Sequence, residues 1–411
     1  MQPNTCALGR PSYPYTVLLG VMDLRYVEQK DINYSLANEF KRRGFNVKVV
    51  GNRQILEATR LPQLYRSLAS VFTPNSPREL EAGVKPDQSP GRPPRTILEA
   101  AEYTFSRLRI DKMISYDIFE KIFSKIKPDL FITEWYFPEM LRAAKKMGAT
   151  TLLWCLDDPM IFEENWFYGK WFEYASMFDH VFTFSKGATS KYREKGISRV
   201  DWLPLFYDPN IIGPTESGKD KPYPLSFVGN RFRDREPACR RILMPLVESL
   251  RGSMHIFGSG WTGDPQISSA TLHGSIPRTS LGQVFSDSMI SLNLHREPSY
   301  RFIGSLNYRT FEIAGAGCFQ LLEYMRGVED VFRLGTEIVA ARSGEEAVEL
   351  ARYYLERRDE RERIAERAKR RAAADHTVAR RIDKILEAAK LKGEAYSAET
   401  TPPDKPYPTR A

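Results

Sequence analysis

Short apolar runs alternate along the chain with stretches in which apolar positions recur every three or four residues. The runs at 15–20 (YTVLLG), 46–50 (NVKVV), 129–133 (DLFIT), 150–155 (TTLLWC) and 180–184 (HVFTF) predict strands. Residues 33–43, 138–146 and 186–195 predict helices between them, the first closed by Gly44. A second alternation follows the turn-rich stretch 208–224, DPNIIGPTESGKDKPYP. Its strands fall at 225–229, 254–258, 289–294 and 318–323, with helices near 238–249 and 279–288 and another from about Ser305. Strands that alternate with helices predict mostly parallel sheets covered on both faces.

The expected fold class is therefore α/β, with two facing Rossmann-like, doubly wound domains. The first spans 14–208, the linker 209–224 and the second domain 225–375. A cleft between the carboxyl ends of two such sheets is where this architecture binds ligands. Residues 70–96, rich in Pro, Gly and polar side chains, predict a long excursion, and 394–411 have the composition of a disordered tail.

Composition changes this picture little. The chain has 411 residues, 42% hydrophobic and 27% charged, as expected of a globular protein. No apolar run approaches the roughly 20 residues needed to span a bilayer. The first residues lack a basic segment leading into an apolar one. Four scattered cysteines form no C-x-x-C pair and no metal-ligand spacing. A reduced, cytoplasmic setting without a bound metal or resident cofactor is expected. The net charge of +8 suggests nucleic acid or an anionic substrate as partner. Much of the excess lies in 351–392, where Arg and Lys interleave with Glu at helical spacing, the pattern of a solvated helix face.

The stretch 299–323, SYRFIGSLNYRTFEIAGAGCFQLLE, carries the most chemistry. Ser305 reads as a helix N-cap, Gly304 as a point of close backbone approach, and Gly315 and Gly317 as the helix end. Arg309 and Glu312 then share one helix face, in an order that opposes the macrodipole. A diphosphate at the helix N-terminus would gain from free N–H groups and from Arg309, while Glu312 would accept ribose hydroxyls. The alternative is a surface ion pair.

Three further segments add to this. In LSFVGNRFRDRE, Gly229 ends a strand and feeds a loop with Arg231, Arg233 and Arg235, whose fixed charges suit phosphate. The turn Gly274, Ser275, Ile276 offers backbone groups to a nucleotide base. His295 closes a strand at the cleft face as a general base, a donor contact or a structural histidine. Asp157 and Asp158 are candidate catalytic carboxylates of the cleft, and as an adjacent pair they suggest a metal site; Asp158 before Pro159 reads more simply as a helix N-cap with proline at N1. Gly258, Gly260 and Gly263 have dinucleotide-fingerprint spacing, but Asp264-Pro265 stands where the helix should begin, so they read as a turn.

These motifs, in order, resemble the CgeB-like, spore-maturation-type branch of GT-B glycosyltransferases. WCLDDP, HVFTFSKGATSKYREKG, LSFVGN, HIFGSGW, ISLNLH, LNYRTFE with AGAG, and DHTVARRIDKIL carry the resemblance, which covers nearly the whole chain. It implies a nucleotide-sugar donor held by the second domain, an acceptor met by the first, no essential metal, and a last helix (376–392) returning to the first domain. The acceptor is open: protein, polysaccharide, small molecule or DNA. Retaining GT-B enzymes often carry an E-x7-E pair, and here Gly304 stands eight residues before Glu312. Retention and inversion are both open. The rival readings are a sugar-nucleotide epimerase or hydrolase and a non-catalytic nucleic-acid-binding protein.

Overall fold

The computed structural model describes residues 15–20, 32–50, 116–164, 170–213 and 221–390. The expected excursion at 70–96, the tail at 394–411 and the middle of the linker lie outside the described residues.

The described strands form two six-stranded parallel sheets. The first has the order β2-β1-β3-β4-β5-β6, from β1 (Thr16–Gly20), β2 (Asn46–Val50), β3 (Leu130–Thr133), β4 (Thr150–Cys155), β5 (His180–Thr183) and β6 (Val200–Trp202). Its central strands β1, β3 and β4 are mainly apolar because both faces are buried, whereas the edge strands β2 and β6 carry exposed polar residues. Val17, Leu19, Leu130, Ile132, Leu152 and Trp154 enter the core beneath one face. Leu18, Phe131, Leu153 and Cys155, one residue out of phase, enter the core beneath the other.

The second sheet has the order β12-β11-β10-β7-β8-β9. It is built from β7 (Tyr223–Val228), β8 (Met254–Phe257), β9 (Thr271–Gly274), β10 (Ser288–Asn293), β11 (Gln320–Glu323) and β12 (Val339–Ala341). In chain order within the domain this is 3-2-1-4-5-6 read from the β9 edge. The winding direction reverses between β7 and β10, and a crevice opens beyond the carboxyl ends of strands at such a point. Val228, Gly229, Leu294 and His295 lie there.

The domains are not merely tethered. Phe184, Leu205 and Tyr207 of the first share one core with Leu306, Phe311, Ala314 and Leu322 of the second. The helix Val378–Ala389 carries Val378, Ile382, Ile385, Leu386 and Ala389 on a single face. That face completes the first domain's core beside Leu36 and Phe40. Thr377 caps this helix, accepting from the Arg380 N–H at 3.3 Å, and Arg43 reaches Asp383 at 2.7 Å. Among the described residues no helix is long and apolar enough to cross a membrane.

Candidate functional site

The loop after β7 and the segment after β10 bring two arginines, Arg235 and Arg309, and a histidine to the switch point. Arg235 lies in the 3-10 turn Arg233–Arg235 and donates from Nη1 to the Asn230 carbonyl. Its Nε is buried without a hydrogen-bond partner, and the guanidinium makes no ion pair among the described residues. Burial, followed by the neighbouring charges of Arg296 and Arg309, brings its pKa down to about 10. A Cβ on Gly229 would lie 2.9 Å from both Arg235 Nη1 and Phe227 Cζ, so a larger residue there would displace the guanidinium.

Arg309, on the helix Tyr308–Gly315, donates from Nε to the Val228 carbonyl at 3.3 Å and from Nη1 to Glu312. Glu312 is 1% exposed, and its other oxygen accepts from Arg278 Nε and Nη2, both at 3.2 Å. His295 is fully buried, and its Nε2 accepts the Asn307 N–H at 3.3 Å. That bond puts the proton of the neutral ring on Nδ1, which has no partner among the described residues. Burial and then the Arg235 charge push the His295 pKa down to about 3, so the ring is neutral and cannot collect a proton near pH 7. Arg235, Arg309 and this imidazole N–H form a cation-rich, donor-rich cluster at the crevice.

Asp157 approaches from the first domain, just beyond β4. It is half-buried; burial raises its pKa, and the charge of Arg296 opposes that rise. Asp158 is buried and caps the helix Pro159–Glu164, accepting from the Met160 N–H at 2.9 Å, as its sequence predicts. Its Oδ2 also lies 3.1 Å from Arg301 Nε of the second domain, without hydrogen-bond alignment. Asp158 therefore sits in an interdomain contact. Among the described residues no group of three or more His, Cys, Asp or Glu is placed to hold a metal.

The remaining expectations divide. Gly274 ends β9 with φ +68°, followed by exposed Ser275 and half-buried Ile276 at the same end of the sheet as Gly229. The 258–264 glycines form a turn, with φ of +148°, +83° and +84°, and Asp264 caps a 3-10 turn through the Gln266 N–H. Gly317 has φ +74° just beyond the helix end.

Three readings need correction. Ser305 is not the helix N-cap: Asn307 is, accepting from the Thr310 N–H at 3.2 Å. Ser305 is instead buried against Ser185 of the first domain, Oγ to Oγ 2.6 Å, and donates to the Phe302 carbonyl at 2.9 Å. Gly304 does allow close approach, but to protein. With φ +75°, its would-be Cβ lies 2.9 Å from the Lys186 Cβ. Both residues thus serve an interdomain seam, which also includes the Gly187 N–H to Ile303 carbonyl bond at 2.8 Å and the Lys186–Asp330 pair at 2.5 Å. Arg231 has its guanidinium nitrogens engaged by Glu236 and Asp264 over the Trp261 ring, which stiffens the loop rather than leaving a charge for a ligand. Arg278 and Asn307 were missed; for Asn307 the signal was an Asn three residues before Thr310.

Residues 233–387 match the profile of a family described as "Glycosyl transferase-like". No curated protein matches the chain in sequence. Solved structures match it over most of its length. Sucrose-phosphate synthase from Thermosynechococcus elongatus is 10% identical, with a TM-score of 0.58, covering 91% of this chain and 98% of its own. Anabaena HepE in complex with UDP and glucose is 11% identical, with a TM-score of 0.57 and coverage of 92% and 99%. The E. coli trehalose-6-phosphate structure bound with UDP-2-fluoro glucose is 11% identical, with a TM-score of 0.55 and coverage of 92% and 99%. With its two parallel six-stranded sheets, the chain has the two-domain, Rossmann-like GT-B fold.

Proposed function

We propose that the protein transfers a sugar from a nucleotide-sugar donor, held by its second domain, to an acceptor presented by the first. The observation that carries this reading is Arg235, a half-buried guanidinium with no ion pair among the described residues, beside Arg309 and a His295 Nδ1 that has no partner among them either. Crowded cations in a desolvated crevice are costly unless an anion joins them. A diphosphate supplies two phosphate groups at once. As the glycosidic bond breaks, negative charge grows on the leaving diphosphate. Fixed donors aimed at that charge stabilise the transition state more than the ground state.

Glu312 is the ribose acceptor in this reading, and the turn Gly274 to Ile276 meets the base. Asp157 is the carboxylate on the acceptor side that takes the proton from the attacking hydroxyl; its burial makes it more basic than a surface aspartate. The protein's own arginines supply the positive charge that a divalent metal would otherwise bring to the diphosphate, so transfer is metal-independent in this reading. The interdomain seam around Gly304 and Ser305 keeps the crevice closed to water, so that the sugar passes to the acceptor. UDP-sugars are the first donors to test, because HepE and the E. coli protein were solved with UDP ligands. Incubation with a UDP-sugar panel and a glycan, peptide and nucleic-acid acceptor set tests the reading. Nucleoside diphosphate release only when an acceptor is present supports it, whereas release without an acceptor identifies a hydrolase.

A further inference from the structure

Glu312 is held by two guanidinium groups from different elements, and the donor site uses only one. Arg309 stands on its own helix; Arg278 comes from the 3-10 turn Arg278–Ser280 after β9. These are the charged groups touching the carboxylate among the described residues, and its burial leaves little water to compensate its charge. Arg278 also donates from Nη1 to Ser35 Oγ at 3.4 Å, on the helix Ile32–Arg42 of the first domain. It thus links the carboxylate of the donor domain to the acceptor domain.

Resting on the donor-site reading above, we propose that Arg278 is a positioning residue that keeps Glu312 ionised while Arg309 turns from that carboxylate to the donor diphosphate. With its Nε on the Val228 carbonyl and its Nη1 on Glu312, Arg309 gives a diphosphate a bidentate fork only by turning away from that carboxylate. A buried carboxylate stripped of its sole cation takes up a proton and loses acceptor capacity toward ribose hydroxyls. Glu312, held at separate oxygens, can release Arg309 from Oε2 and remain paired at Oε1. The freed oxygen is then the one presented to the ribose. The contact with Ser35 makes this exchange sensitive to whether the domains are closed.

Calorimetric titration with UDP, run in buffers of different ionisation enthalpy, reads affinity and proton uptake together. GDP, ADP, dTDP and CDP follow if UDP does not bind. Wild type binds without net proton uptake. Arg278→Met binds about ten- to a hundredfold more weakly and takes up about one proton per nucleotide. Arg278→Lys restores most of the affinity and abolishes the uptake. If Arg278→Met does not fold, the pair Arg278→Met/Glu312→Gln is compared with Glu312→Gln alone; equal affinity supports the role, and a further loss overturns it. Unchanged affinity without proton uptake in Arg278→Met overturns the inference and leaves the donor site standing. A loss that lysine does not rescue and that carries no proton reduces Arg278 to a structural part. If wild type binds no nucleoside diphosphate, the donor reading falls and this inference with it.

Discussion

His295 and Arg235 are electrostatic neighbours at the ends of two adjacent strands, β10 and the chain leaving β7, and the arginine's charge adds to burial in keeping the imidazole neutral. In the proposed donor site, His295 therefore serves as an N–H donor, not as an acid or base. Carbon-13 or nitrogen-15 NMR of the labelled ring should show no titration between pH 5 and 8. A midpoint near 6.5 would contradict the arrangement.

The same physics sets a stability signature. His376, held by Arg381 and the Val331 carbonyl, is pushed down to about 4 by burial and then by the Arg381 charge. A histidine whose folded pKa lies below the unfolded value of about 6.5 contributes stability above that pH. The contribution is lost as pH falls toward the folded pKa, because the unfolded chain binds the proton first. The slope is ~1.4 kcal/mol per pH unit for each such group. The raised Asp157 and Asp158 work in the opposite direction at lower pH. Comparison of variants isolates the histidine: urea unfolding of His376→Asn should depend less steeply on pH between 6.5 and 5 than wild type. Equal slopes would count against a buried neutral His376.

Asp157→Asn should lower kcat by about two to four orders of magnitude while leaving nucleotide affinity within a few fold, as expected for loss of a general base. In wild type, kcat/KM should fall as pH drops through the raised pKa of Asp157. Retention of wild-type kcat in the variant would move the proton acceptor elsewhere, to the leaving diphosphate among other groups.

Gly304→Val places a branched side chain at φ +75° against Lys186. The conformational strain alone is on the order of 1–2 kcal/mol, and displacement at the seam adds to it. A lowered Tm and a larger radius of gyration by small-angle scattering are expected. An unchanged Tm would show that the seam tolerates what the geometry forbids.

Much of this was legible in the chain, and the exceptions share a cause. The long strands announce themselves because both faces are buried, and Asp158-Pro159 is a cap that needs no distant partner. β9 is only four residues, exposed throughout, and β6 and β12 have three each, too short for either periodicity to emerge. Ser305 and Asn307 are both good N-caps by type. The choice between them is made 120 residues away, where Ser185 takes the Ser305 hydroxyl. The charge order of Arg309 and Glu312 did mark an unusual helix, but its full meaning needed Arg278, 34 residues before Glu312 and on the far side of β10 in the chain. Arg231 and Arg235 look equivalent in sequence; only the fold shows one neutralised by two carboxylates and the other without an ion pair among the described residues.

On the proposed mechanism, in which guanidinium groups rather than a divalent ion meet the leaving charge, activity should survive an excess of EDTA with less than about a twofold loss. Abolition by EDTA and recovery with added Mg2+ or Mn2+ would contradict that assignment.

The central claim is that the crevice between β7 and β10 binds the diphosphate of the donor, and Arg235 tests it most directly. Isothermal titration of nucleoside mono- and diphosphates into wild type and Arg235→Ala measures that binding without knowledge of the sugar or the acceptor. The arrangement predicts that one nucleoside diphosphate binds wild type at least about tenfold more tightly than its monophosphate, and that Arg235→Ala erases this difference while keeping its fold. Equal affinity in the two proteins, or no preference for the diphosphate in wild type, would contradict it.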